Sequence, residues 1–199
     1  MKDWEYDTSV GAGRVALLAV AAGLVNTLLG TVVHALQLPL YLDSILTVVV
    51  TLHLGLLPGA LTAVVTNGLL ALTGQVLFPF VCCNLLTALM TWAFHKRGWL
   101  ASPTGFLWLG LAVAAVNGFL GSVLAYMVYS GVTTVHGIDR LVMGLVVTGQ
   151  SLLTAVFWSG MVTNLVDKLA SVMFAFVTRR WIARQLRSLK PRVHASEQT

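Results

Sequence analysis

Long runs without a charged side chain are the main pattern in this chain. Asp, Glu, Lys and Arg are absent from residues 15–42, 44–94, 98–138 and 141–166. A helix needs about 20 mostly apolar residues to cross the hydrocarbon core of a bilayer. The second run is long enough for more than one crossing, and proline, which disfavours a continuous helix, interrupts it at Pro58 and Pro79.

These runs predict an all-α integral membrane protein, a compact bundle of six transmembrane helices in one membrane domain over residues 1–199. The first apolar run is longer than a usual signal-peptide core, so we expect a retained span there. The predicted spans are residues 13–37, 40–56, 58–74, 78–95, 103–130 and 160–182.

Basic residues predict the orientation of the bundle, because they concentrate on the cytoplasmic side. Arg14 lies at the start of the first span, Lys96 and Arg97 follow the fourth, and a basic tail over 183–199 follows the last. Both termini are therefore expected in the cytoplasm. A seventh span within 138–158 would place the tail outside. We therefore interpret that apolar stretch as re-entrant or interfacial, with a break from the last span at Ser159-Gly160. The charged residues of the last span would then lie one to two turns after this break.

Composition narrows the function class. Of 199 residues, 57% are hydrophobic and 10% are charged, too few charges to cover the surface of a soluble domain. A soluble, disordered or collagen-like chain is excluded, and a nucleotide-binding domain has no room. Any energy for transport must come from a partner or a gradient. The net charge of +5 predicts no nucleic-acid partner, because the basic tail suits a membrane-surface anchor or the docking of a cytoplasmic protein.

Motifs for metal, cofactor or catalytic chemistry are absent from the sequence. Cys82 and Cys83 are adjacent rather than spaced as ligands, so we interpret them as small buried side chains. The histidines are scattered, and no phosphate-binding loop, nucleophile elbow or zinc-protease motif occurs. The expectation is a protein that is not an enzyme and has no cofactor and no metal.

Polar residues inside the last predicted span share one face. Asn164, Asp167, Lys168 and Ser171 follow helical spacing, and Asp43 is expected at a similar depth near the start of the second span. Buried charges in membranes are costly and survive by pairing or by facing water. Two compatible interpretations stay open: an ion cluster that holds the bundle together, or a polar binding cavity open to the outside.

Other polar and aromatic residues map to the same outer half of the predicted bundle. Convergent polar groups in an apolar pocket are typical of small-molecule sites. Asn117 lies nearer the middle of its span. The predicted substrate-binding candidates are Tyr41, Asp43, Gln75, Asn84, Tyr126, Tyr129, Gln150, Asn164, Asp167 and Lys168.

The first predicted span carries small residues along one face: Ala12, Ala16, Ala19 and Gly23. Small residues let membrane helices approach closely. They indicate either packing within the bundle or a docking surface for another membrane subunit.

Four stretches resemble one protein family: residues 38–44 (LPLYLDS), 55–60 (GLLPGA), 148–151 (TGQS) and 163–169 (TNLVDKL). The chain resembles the substrate-binding S component of energy-coupling factor (ECF) vitamin transporters. The resemblance implies capture of a micronutrient at the outer face of a bacterial or archaeal cytoplasmic membrane. It also implies association with a membrane T component, through small-residue patterns in the first span, and with two ATPase subunits.

The resemblance leaves the ligand open. Two further function classes also remain at this point. A stand-alone membrane sensor or scaffold would use the basic tail to dock a partner. A small membrane enzyme would draw on Asp43, Asp167 and Lys168, although no motif supports it.

Overall fold

A computed structural model describes residues 11–188 of the protein, and this part is all-helical, without a β-strand. The predicted all-α class is confirmed for these residues. Residues 1–10 and the predicted tail beyond residue 188 lie outside the description. The helices are α1 (Ala12–Ala35), α2 (Ile45–Leu54), α3 (Leu56–Leu72), α4 (Val81–Lys96), α5 (Pro103–Tyr129), α6 (His136–Val147) and α7 (Leu152–Ser188), with short 3-10 helices at Phe78–Phe80 and Trp99–Ala101.

Hydrogen bonds between α1 and α3 fix their relative direction. The hydroxyl of Thr62 donates to the carbonyl oxygen of Ala19 (3.1 Å), and that of Thr66 donates to Gly23 (3.3 Å). The two helices therefore run parallel, and α2 returns between them in the opposite direction. Threonine suits this role because its hydroxyl bonds a backbone carbonyl while its methyl group packs.

Close contacts also fix the pairing of α5 with α7. Gly110 packs against Leu169, and Gly118 packs against Met161, so these helices are antiparallel. The end of α7 consequently lies beside the start of α5 and the start of α1. We call this the basic end of the bundle, because it carries residues 96–102 and 179–186. The opposite end, with residues 73–77, 130–135 and 148–151, is the loop end.

The second helix is too short to cross a bilayer alone. α2 has 10 residues, about 15 Å of helix, whereas the hydrocarbon core is about 30 Å thick. After α1, residues 36–44 enter the bundle without regular structure and α2 begins only at Ile45. We call residues 36–44 the inserted segment. The predicted span over 40–56 thus contains a helix only in its second part.

The break expected at Ser159-Gly160 is wrong. α7 begins at Leu152 and runs through both residues, and the interruption lies at residues 148–151 instead. The small residues serve packing: a Cβ atom on Gly160 would collide with the Ser122 hydroxyl of α5. The 12-residue helix α6 precedes the true break. The last helix also continues to Ser188, so the first part of the predicted tail is helical.

Four helices are long and apolar enough to cross a membrane among the described residues. They are Ala12–Ala35, Phe78–Lys96, Pro103–Tyr129 and Leu152–Leu186. α2 and α3 are apolar but shorter. The structure is therefore compatible with a membrane protein, while a total of six spans and the side on which the termini lie stay predictions.

Cations and aromatic rings meet at the basic end. Arg179 lies 4.5 Å from the ring centroid of Phe176 and 5.1 Å from that of Phe106. Lys96 lies 4.8 Å from the ring of Trp92. Rings and cations at the same level are typical of a membrane–water boundary. This end therefore has the chemistry that the positive-inside argument expects of the cytoplasmic side.

Candidate functional site

Asp167 of α7 holds the backbone of the inserted segment. Its Oδ1 atom accepts hydrogen bonds from the amides of Tyr41 (3.2 Å) and Leu42 (2.6 Å). Leu42 has a positive φ of 47°, which a bulky residue adopts only when its surroundings impose it. One buried carboxylate thus satisfies two backbone donors that have no helix or strand partner.

Lys168 joins both acidic residues. Its Nζ atom lies 2.6 Å from Asp167 Oδ2, 3.6 Å from Asp43 Oδ1 and 2.7 Å from the hydroxyl of Ser44. The side chains of Lys168 and Asp43 are 5% and 11% exposed, so this is a buried ion cluster. The expectation that these three charged residues share one depth is confirmed.

Two asparagines extend the attachment of the inserted segment to α1 and α4. Asn26 Oδ1 accepts from the amide of Leu46 (2.9 Å), at the start of α2. Asn84 Nδ2 donates to the carbonyl oxygen of Asp43 (3.1 Å). Asn84 was a predicted candidate, whereas Asn26 was not. An asparagine inside an apolar run, costly without a partner, was the available signal.

A small cavity lies beside the ion cluster. Its volume is about 30 Å³, room for about two water molecules. Its walls come from the inserted segment, the start of α4, α5 and α7. The lining residues are Tyr41, Asp43, Val76, Phe80, Cys83, Asn84, Asn117, Gly121, Asn164 and Lys168. The structure thus brings together five of the predicted candidates here and adds Asn117 and Cys83.

The site lies deeper than the sequence predicted. Because α7 begins at Leu152, Asp167 lies about 22 Å along the helix rather than one to two turns from its start. Asn117 lies at a similar distance along α5 from Pro103. The cluster and the cavity are therefore near mid-height of the bundle, and the expected distance of one to two turns from the start of the last helix is wrong.

Similarity to known proteins does not assign this site. No family model matches the chain, and no curated protein or solved structure is significantly similar to it.

Gln75 lines a second, smaller space toward the loop end, together with His34, Tyr41 and Asp43. The ring of His34 lies 4.9 Å from that of His136 on α6. Gln75 Nε2 donates to the Thr73 hydroxyl at 3.0 Å. This space holds about 10 Å³, at most one water molecule, and it lies between the inserted segment and the loop end.

Three predicted candidates lie apart from both spaces and from the ion cluster. Tyr126 and Tyr129 pack partly buried against the apolar cluster near the loop end, and Tyr129 stacks on Phe80 at 6.0 Å. Gln150 is exposed in the turn before α7. Their role in substrate binding stays a prediction, because their spacing indicated a level in the bundle but not the face of the helix or the path of the turn.

The small residues of α1 divide into two groups. Ala19 is fully buried and Gly23 packs against Val65 of α3, so these two serve packing within the bundle and are not available for docking. Ala12 and Ala16 are exposed near the basic end. A docking role is therefore compatible with the first pair of residues only.

Among residues 11–188, no group of three or more His, Cys, Asp or Glu side chains could hold a metal ion. Cys82 and Cys83 are free thiols and are partly buried. Cys83 faces the cavity, which the sequence did not indicate. The arrangement can bind and orient a small polar ligand.

Proposed function

We propose that this protein captures a small micronutrient, a vitamin or vitamin-like metabolite, in the cavity beside Asp43 and Lys168. It would do so as the S component of an ECF-type uptake system. The observation that carries the proposal is the inserted segment, residues 36–44. Non-helical backbone at membrane depth occurs where it is buried in protein or lines a cavity. Asp43 and Ser44 of this segment are buried, and Tyr41 and Asp43 line the cavity.

A purely structural ion cluster explains only part of this arrangement. Asp167 and Lys168 anchor the inserted segment, and that role needs no ligand. The oxygens Asn84 Oδ1 and Asn117 Oδ1, however, are buried at the cavity without a hydrogen-bond partner among the described residues. Buried acceptors left unpaired are costly. A ligand that donates to them gives the cavity a function beyond anchoring.

The proposal includes an opening step. Ligand pockets are usually several hundred Å³ in volume, whereas this cavity holds about 30 Å³. A vitamin-sized molecule therefore requires movement of the inserted segment. The attachments of the segment to α4 and α7 are made by the side chains of Asn84 and Asp167, so it can move while the long helices stay packed.

The remaining parts of the proposal follow from the family resemblance. The chain would reside in a bacterial or archaeal cytoplasmic membrane with both termini in the cytoplasm. A T component and two ATPase subunits would associate with it and supply the energy, because this chain has no nucleotide-binding motif. Its partners would thus be the small-molecule substrate, those subunits and the lipid bilayer, without nucleic acid.

Native mass spectrometry of the protein purified gently from its own host tests the proposal. We expect a T component and ATPases to co-purify, or a metabolite of vitamin size to remain bound. A reproducible absence of all of them contradicts the transport function. Signalling proteins as the sole partners would favour the alternative, a membrane sensor or scaffold.

Replacing Ala16 with leucine is expected to reduce recovery of the T component at least tenfold and to leave the melting temperature unchanged. Ala16 is exposed, so the larger side chain disturbs no internal packing but separates two closely packed helices. Affinity capture from native membranes, quantified by mass spectrometry, measures the change. Ala115→Leu, at an exposed alanine of α5, is the matched control. Equal recovery with both variants would reject docking at Ala16.

A further inference from the structure

We infer that the ligand of this cavity is a small organic cation that donates N–H hydrogen bonds, such as a protonated amine. The inference rests on the proposed function in taking the cavity as the binding site. It is carried by the direction in which each polar group of the lining points. Almost all of these groups accept hydrogen bonds, and the strongest donor is already occupied.

The orientation of Asn84 is fixed by its partner. Its amide nitrogen donates to the carbonyl oxygen of Asp43 at 3.1 Å, and a carbonyl can only accept. The other end of the side chain must therefore be the oxygen. That Oδ1 atom is buried at the cavity and lacks a partner among the described residues. Asn84 thus offers an acceptor to a ligand.

The orientation of Asn117 follows from a chain of bonds. The hydroxyl of Thr87 donates its single proton to the carbonyl oxygen of Cys83 at 3.0 Å. It can then only accept from Asn117, whose amide nitrogen lies 2.8 Å away. The Oδ1 atom of Asn117 is buried without a partner in the described chain. A second acceptor with a fixed orientation therefore lines the cavity.

Two further residues present acceptors. Asn164 uses its amide nitrogen on the carbonyl oxygen of Gly160 at 2.9 Å, which leaves its oxygen for other contacts. Asp43 lines the cavity with a carboxylate. Three amide oxygens and one carboxylate on separate elements form an acceptor-rich wall.

The donors of the lining are few. The Lys168 ammonium group donates to Ser44 and to Asp167 and lies 3.6 Å from Asp43 Oδ1, so three protein oxygens face it. The Tyr41 hydroxyl and the Cys83 thiol can donate or accept. A carboxylate or phosphate ligand would meet acceptors and a net negative charge, since two carboxylates face one ammonium. Such a ligand is disfavoured, whereas a cationic donor is complementary in both respects.

Thermal melts of the purified chain in nanodiscs test this inference with small probes at equal ionic strength. The probes are methylammonium chloride, tetramethylammonium chloride, sodium chloride and sodium acetate. Methylammonium has two heavy atoms, close to the size of the cavity, so its Kd is expected in the millimolar range. We expect methylammonium alone to raise the melting temperature, by about 3 °C at tenfold over its Kd.

Two isosteric variants locate the effect. Asn117→Leu and Asp43→Asn are each expected to raise the Kd for methylammonium at least tenfold. Thr178→Val, at a partly exposed position on α7 toward the basic end, is the matched control and is expected to leave the Kd unchanged. If one cavity variant fails to fold, the other still decides the result.

Several outcomes would overturn the inference. An equal rise in melting temperature with tetramethylammonium would show that the N–H groups have no role. An equal or larger rise with sodium chloride would indicate a metal-cation site. A shift with acetate, or none with methylammonium, contradicts a cationic ligand. These melts need no partner subunit. If no partner subunit is captured but methylammonium still raises the melting temperature, the transport function is rejected and the ligand class is kept. If the partner subunits are captured but methylammonium has no effect, the ligand class is rejected and the transport function is kept.

Discussion

Replacing Lys168 with methionine is expected to lower the free energy of unfolding by about 3–5 kcal/mol, the usual result when one partner of a buried ion cluster is removed. The substitution keeps the length of the side chain but removes its charge. Asp43 and Asp167 would then face each other as two buried carboxylates without the intervening ammonium group. For a chain of this size the change corresponds to roughly 10 °C in melting temperature, which tryptophan fluorescence in nanodiscs measures.

A second substitution separates loss of charge balance from loss of packing. Asp167→Asn, combined with Lys168→Met, restores the net charge of the cluster. It also keeps an oxygen that can accept from Tyr41 and Leu42. We expect the double variant to recover about half of the lost stability.

Lys96→Met is the matched control, since Lys96 is exposed over a tryptophan ring. Its expected effect is below about 1 kcal/mol. If Lys168→Met melts like Lys96→Met, the ion cluster does not stabilise the fold. If a substitution of Asp167 weakens ligand binding without lowering stability, the charge of Asp167 acts directly on the ligand.

The second large effect is expected for Gly137→Ala in α6. A Cβ atom there would overlap the backbone carbonyl groups of Gln37 and Leu38 in the inserted segment. Backbone atoms cannot yield as a flexible side chain can, so we expect a loss of about 2–3 kcal/mol. The inserted segment should also lose protection from hydrogen exchange over residues 36–44, because α6 no longer packs against it.

Gly144→Ala is a control on the same helix with the opposite expected sign. A Cβ atom at Gly144 meets nothing within 4 Å, and alanine favours helix by about 1 kcal/mol over glycine. The two variants should therefore differ by several degrees in melting temperature. Equal melting temperatures for the two variants would contradict the tight contact between α6 and the inserted segment.

The sequence was most informative about the charged residues. Asp43, Asp167 and Lys168 are costly in an apolar chain unless they pair, so their presence in apolar runs predicted one cluster. The helical spacing from Asn164 to Ser171 also predicted the correct face of α7. These inferences depend on local spacing and on burial costs, both of which can be read from a single chain.

Other features depend on contacts between distant elements. Gly160 looked like a helix break, yet it is the point where α7 crosses α5 closely. The small residues of α1 all lie along one helical face, but α3 covers only Ala19 and Gly23. The length of α2 and the entry of residues 36–44 into the bundle depend on acceptors on α1 and α7 and on a donor on α4. Periodicity within one segment carries no information about such partners.

The inserted segment also has a consequence for the order in which this protein assembles during synthesis. Ser44 and its partner Lys168 are separated by 124 positions, so the ribosome has added α2 to α5 before either residue of the Asp167-Lys168 pair exists. Until then Asp43 and the free amides of Tyr41 and Leu42 must stay in water or beside the insertion machinery. The last helix to emerge is thus the one that closes the bundle. In a nascent chain stalled before residue 167, Asp43 should react with water-soluble labels. In a chain that has been synthesised past residue 188 and released from the ribosome, Asp43 should be protected from them.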